Sequence, residues 1–119
     1  MIIAISASGA TEKSELDTRF GRAAWFVLYD TDTEKYSAIP NEQNLNLPQG
    51  AGIQSASLVV NAGATVLISS HCGPKAFDVL KKGGVKIYLA ADGTVEECLE
   101  KYRKRLLKET ESADVDGHW

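Results

Sequence analysis

Cysteine is scarce in this 119-residue chain: Cys72 and Cys98 are its only two, so neither a disulfide scaffold nor a four-cysteine zinc site can be built. Long hydrophobic runs are missing as well. The longest apolar stretches, Trp25–Tyr29 and Val85–Ala91 with Lys86 inside it, fall far short of the roughly 18 residues of a membrane span. No Lys or Arg precedes Ile2, Ile3 and Ile5, and no small-residue cleavage site follows, so we expect no signal peptide, no membrane partner and a cytoplasmic chain with reduced thiols. A surplus of positive charge is the third absence. The net charge is −3, and Glu109, Glu111, Asp114 and Asp116 fall in the last eleven residues; without them 13 bases face 12 acids. A body of about that balance excludes a nucleic-acid surface built on bulk positive charge. There is no internal repeat, linker or low-complexity tract, so the expectation is one domain over residues 1–108 followed by an acidic, flexible tail over 109–119.

What is present is an alternation of apolar runs and helical patterns. Ile2–Ser6 reads as a strand buried on both faces. Ala24–Asp30 and Tyr36–Ile39 are aromatic and β-branched runs around a hairpin turn at residues 31–35. Pro40–Gly50 is a loop by composition. From Gly52 a helical spacing runs through Ile53, Ala56 and Val60 to Gly63, a glycine placed as a C-cap. Thr65–Ile68 is a strand, Pro74 opens a second helix that Gly83-Gly84 stops, and Val85–Ala90 is the last strand. Thr94 caps a final helix with an apolar face of Val95, Leu99, Tyr102 and Leu106, acids in its first turn and bases in its last.

The order βββαβαβα combines a hairpin pair with helical crossovers, which predicts a mixed α/β fold. Its simplest sheet has five strands in the order 3-2-1-4-5, with the second strand antiparallel. A topological switch point then falls between strands one and four, and ligands of open sheets prefer the crevice at the carboxyl ends beside such a point. The connection after strand one is long for a hairpin, about 17 residues where 2 to 5 are usual, and such length signals function or disorder.

Three segments meet at that crevice. Asp17-Thr18-Arg19-Phe20-Gly21-Arg22 offers two guanidinium forks suited to a polyanion; the bland alternative is a salt-bridged surface loop with Phe20 tucked onto the sheet. Gly50-Ala51-Gly52-Ile53-Gln54 can bring helix N-terminal amides close to an anion, yet it lacks both the Gly-Lys-Ser/Thr ending of a phosphate loop and a GxGxxG, and is otherwise a plain helix start. His71-Cys72-Gly73-Pro74 holds two soft-metal ligands before a helix, or else a buried cysteine beside an exposed histidine. No third group orients a Cys72–His71 pair, so covalent catalysis is disfavoured and no catalytic residue is expected. Cys98 reads as packing.

Together, the IIAIS strand, DTRFGRAAWFVLYD, Asn41, GAGIQSASLVVNAGATVLI, GPKAFDVLKKGGVKIYLA and TVEECLEKY resemble the dinitrogenase iron-molybdenum cofactor biosynthesis family, over about residues 1–104. That family holds nitrogenase cofactor carriers and the orange proteins with their molybdenum-copper sulfide cluster. The resemblance implies a three-layer α/β/α ribonuclease H-like fold and non-catalytic binding, carriage or assembly of an anionic metal-sulfur cluster. The cluster would be of the molybdenum-containing iron-sulfur or copper-sulfur type, exchanged with a donor or acceptor protein by a monomer or weak homo-oligomer. It places the cluster against Arg19, Phe20, Gly21, Arg22, Asn41, Gly50, Ala51, Gly52, Gln54, Gly73, Pro74 and Lys75, with His71 and Cys72 as candidate metal ligands. Many nitrogenase-linked relatives carry a histidine before the Phe-Gly pair where this chain has Arg19, which favours a cluster held by charge with help from His71 or Cys72. The alternative from another class is a domain that binds a phosphorylated metabolite at the same rim.

Overall fold

A computed structural model describes residues 1–41 and 50–111. β1 (Ile2–Ala7), β2 (Trp25–Asp30) and β3 (Lys35–Pro40) form an antiparallel meander. α1 (Ala51–Asn61) then crosses over to β4 (Ala64–Ser69), which lies parallel to β1, and α2 (Pro74–Lys82) crosses to β5 (Lys86–Leu89), parallel to β4. α3 (Val95–Arg103) follows, and β6 (Lys108–Thr110) closes the chain's described part by pairing antiparallel with β5.

The sheet order is β3-β2-β1-β4-β5-β6. The expected 3-2-1-4-5 arrangement with an antiparallel second strand is present, and the difference is one added edge strand. β6 uses Glu109 and Thr110, part of the stretch expected from the sequence to be a flexible tail; residues 112–119 of that stretch lie outside the described residues. Three residues are too few to display a period of two, and the acids beside them mask the signal.

Period-two alternation divides the sheet between two cores. Ala4, Phe26, Leu28, Leu67 and Ile87 face α1 and α2, where they meet Phe20, Ala56, Val59, Ala76 and Leu80. Ile3, Ile5, Val27, Tyr29, Val66 and Ile68 face α3, against Leu16, Val95, Cys98 and Leu99. Helices therefore cover both faces, giving the three layers expected. Cys98 is packing, as read. Leu106 departs from the expected apolar face: α3 ends at Arg103, and Leu106 is 69% exposed.

α3 owes its start to a capping box, in which Thr94 Oγ1 accepts the Glu97 N–H at 3.3 Å and Glu97 Oε1 accepts the Thr94 N–H at 2.9 Å. The bond from the Thr94 N–H, with the Thr94 hydroxyl beside it, holds the Glu97 carboxyl below its ordinary pKa. The group's folded pKa is depressed, so its contribution is present above the unfolded value and is lost as pH falls through the lowered one. Thr94→Ala is expected to cost about 1 kcal/mol in urea denaturation at neutral pH. The penalty shrinks in acid, and one that grew below pH 4 would contradict the assignment.

Candidate functional site

β1, β3, β4 and β5 run in the same direction, so their carboxyl ends line one edge of the sheet. The loop after β1 divides there. Its first half grips α3: Leu16 N–H donates to the Gly93 carbonyl at 2.8 Å, Val95 N–H to Ser14 at 2.8 Å and Glu96 N–H to Glu12 at 2.9 Å. Lys13 Nζ adds an ion pair to Glu96 at 2.7 Å. Gly9 makes this close fold possible, because a Cβ there would lie 2.5 Å from Ser14 Oγ. Much of the unusual loop length is thus explained by packing, and the rim is left to Asp17–Arg22.

This second half is stitched to its surroundings by main-chain bonds. Asp17 N–H donates to the Ser6 carbonyl at 3.0 Å, and Ser6 Oγ is hydrogen-bonded to the Asp17 carbonyl at 3.1 Å and to Ser69 Oγ at 3.0 Å. Ser6 and Ser69 are buried where β1 and β4 end, so the switch point has a polar floor. Asp17 Oδ1 accepts the Arg19 N–H at 3.0 Å and lies 3.8 Å from Arg19 Nε, while about half of the guanidinium side chain remains exposed. Phe20–Arg22 forms a single 3-10 turn. Phe20 N–H donates to the His71 carbonyl at 3.2 Å, and the Gly21 carbonyl accepts Ser55 Oγ of α1 at 3.4 Å. Those two bonds tie the arginine turn to the α2 approach on one side and to α1 on the other.

Both helices begin without a side-chain cap. Gly50 precedes α1 with φ 81°, no described residue beyond its chain neighbours stands within 4 Å of where its Cβ would be, and the helix's first turn holds no acid. Gly73 precedes α2, Pro74 occupies its first turn, and again no acid is there. Residues 51–53 of α1 precede the first internal bond, Gln54 N–H to the Gly50 carbonyl at 3.0 Å. Their amides carry the positive end of a helix dipole of roughly half an elementary charge.

Burial separates the residues expected here. Arg19, Gly50, Gln54, Pro74 and Lys75 are exposed, and Arg22, Gly52 and His71 are half-buried. Phe20, Gly21, Asn41, Ala51, Cys72 and Gly73 are buried. Asn41 Nδ2 donates to the Ala23 carbonyl at 2.8 Å and to Ser55 Oγ at 3.0 Å, which makes it the bolt between the arginine turn and α1. Cys72 is 1% exposed and belongs to the core with Ala76 and Leu80. Among the described residues, no group of three or more His, Cys, Asp and Glu converges to hold a metal ion. Ser6, Ser55 and Ser69 escaped the sequence reading. The available signal was a serine at or next to the carboxyl end of two otherwise apolar strands.

The thiols give a direct check. Cys98 is fully buried, and burial pushes its pKa up to about 11. Both cysteines are expected to react with an aromatic disulfide reagent at pH 8 only after denaturation. Rapid modification of either thiol in the native protein would contradict the packing.

The fold and rim define a class, the ribonuclease H-like α/β/α domain with a polar carboxyl edge. Within that class the chain belongs to the family described as dinitrogenase iron-molybdenum cofactor, which matches residues 1–105. It is similar to the apo form of the orange protein from Desulfovibrio gigas, at 32% identity over 96% of each chain with a TM-score of 0.92. A Thermotoga protein described as NifB-like and placed in the DUF35 family is 31% identical, over 96% of this chain and 98% of that one, with a TM-score of 0.82. An uncharacterized protein of Methanocaldococcus jannaschii is 29% identical over 102 residues, 84% of this chain and 86% of its own length. Membership gives the chain a cofactor-related role. No helix among the described residues is long and apolar enough to cross a membrane.

Proposed function

We propose that this chain is a non-catalytic carrier or scaffold for an anionic metal-sulfur cluster of molybdenum-iron or molybdenum-copper type, received from a donor protein or passed to an acceptor. The observation that supports the reading most is the pair of bonds from Phe20 to His71 and from Ser55 to Gly21, which tie the turn carrying Arg19 and Arg22 to α1 and to the approach of α2, two helices with glycine at the N-cap. Sulfido and oxo faces of such a cargo accept hydrogen bonds and carry negative charge. Main-chain amides of α1 and α2 donate to them, and Arg19, Arg22 and Lys75 balance the charge.

The donor set suits retention by charge and hydrogen bonding better than by thiolate. Cys72 reaches a metal only if the Gly73–Pro74 turn opens, because its thiol is packed in the core and lies 3.8 Å from the Gly73 carbonyl. His71 is the more accessible of the two soft ligands, its side chain half-buried beside the carbonyl that anchors Phe20. Water-exposed charge pairs weaken as salt rises, so cargo retention should fall with ionic strength.

Anaerobic incubation with tetrathiomolybdate, with and without cuprous ion, tests the reading. Visible absorption that co-elutes with the monomeric or weakly associated protein on size exclusion is the expected result. Absence of colour, together with thermal stabilisation by nucleotides or sugar phosphates, would replace it with a phosphorylated metabolite at the same rim.

A further inference from the structure

The C-terminal ends of α2 and α3 close with the same hydrogen-bond pattern but opposite chemistry. In α2, Val85 N–H donates to the Leu80 carbonyl at 2.9 Å and Gly84 N–H to Lys81 at 3.0 Å. In α3, Leu106 N–H donates to the Lys101 carbonyl at 2.9 Å and Arg105 N–H to Tyr102 at 3.0 Å. Both are Schellman motifs, whose left-handed residue is normally glycine and whose next residue normally packs on the helix. α2 obeys: Gly84 has φ 79°, and Val85 is 1% exposed in the core with Leu80. α3 breaks both rules, since Arg105 takes φ 60° and Leu106 is 69% exposed.

The turn still caps α3, but less favourably than its counterpart: a side chain in the left-handed region is strained, and Leu106 leaves most of its surface in water. The surrounding stretch Lys101–Lys108 has five bases and no acid. Of these, Arg103 donates to Tyr29 Oη and stacks over its ring at 4.8 Å, Lys101 pairs with Asp92 at 3.5 Å, and Lys104 pairs with Glu100 at 3.6 Å. Arg105 and Lys108 have no ion pair among the described residues and are exposed. The arrangement is one exposed apolar side chain beside two exposed bases without an ion pair, on a left-handed turn of the kind kept where function holds it.

We propose that the Arg103–Lys108 turn is a docking surface for a protein partner that presents an acidic border around an apolar pocket, with Leu106 filling the pocket. Among the described residues Leu106 has no exposed aromatic beside it, too little apolar surface for a membrane anchor, and the exposed bases call for acid on the other side. The turn leads from α3 to β6, and its neighbour Leu107 packs against the core on the α3 side of the sheet, across from α1 and α2. Docking there goes beyond the cargo reading and fails independently of it.

The test places a photo-reactive residue at position 106 of the full chain, and in a control at Thr33 in the β2–β3 turn, in cells of the native source. Cross-linking from 106 and not from 33 to a protein identified by mass spectrometry is followed by titration with that purified protein. The expected result is at least about tenfold weaker binding for Leu106→Ser, binding that declines with salt, and unchanged tetrathiomolybdate uptake. Arg105→Gly separates docking from folding: it is expected to raise the melting temperature by relieving strain while weakening the complex. No cross-link from 106, cross-links only to lipid, nucleic acid or another copy of this chain, or an affinity indifferent to both substitutions would overturn the proposal.

Discussion

A chain carrying Arg19→Glu together with Arg22→Gln is expected to lose at least about 100-fold in affinity for tetrathiomolybdate while folding as the parent does. The size follows from two charge-assisted hydrogen bonds, each contributing about 1.5–3 kcal/mol, with tenfold in affinity for every 1.4 kcal/mol. Arg19 is half-exposed and its backbone is held by Asp17, so reversing its charge leaves the turn's anchors in place. Lys35→Glu together with Lys82→Gln, at the exposed start of β3 and the exposed end of α2, lowers the net charge by the same three units, serves as the control and should leave binding within about twofold. Equal losses in the control and the arginine variant would reduce the site to a general electrostatic effect. Unchanged binding in the arginine variant would remove the arginines from it.

Phe20 demands the opposite pattern. Its ring is fully buried, 5.3 Å from the Phe26 ring, in the core shared with α1 and α2. Phe20→Ala is expected to cost about 3–5 kcal/mol by urea denaturation, a large part of the 5–15 kcal/mol that holds a domain together. A loss below about 1 kcal/mol would show that the 3-10 turn is not seated as described. The contrast between neighbours is instructive: the motif Arg19-Phe20-Gly21-Arg22 sends its charges outward while its aromatic residue anchors the loop to the sheet.

The strand order was legible because parallel crossovers have few solutions. Three buried runs, two glycine-stopped helical patterns and Pro74 at a helix start leave little freedom once chirality is imposed. Burial at the rim was less legible. Asn41, Ala51, Cys72 and Gly73 share their stretch of chain with accessible neighbours, and composition cannot tell which member of a turn points inward. The loop after β1 posed a related difficulty. Its length suggested function, yet residues 8–16 act by gripping the start of α3, mostly through carbonyls and amides that carry no residue signature, with Gly9 and Lys13 the specific contributors. β6 was hidden for a third reason: its pairing with β5 is non-local, and Tyr88 meets Glu109 at 3.4 Å only after the sheet exists.

The uncapped helix starts carry a consequence for how such a rim can change over time. Donors that belong to the main chain are present whatever the side chain, so alanine scanning along residues 51–53 would pass over them silently. Gly50 is the exception: at φ 81° it can be exchanged only by straining the backbone that aims them. Selection acting on this half of the site therefore works through shape and spacing, and sequences that look unrelated at the helix starts can still offer an incoming anion the same array of N–H groups. The arginine half is written in side chains and can be retuned one substitution at a time.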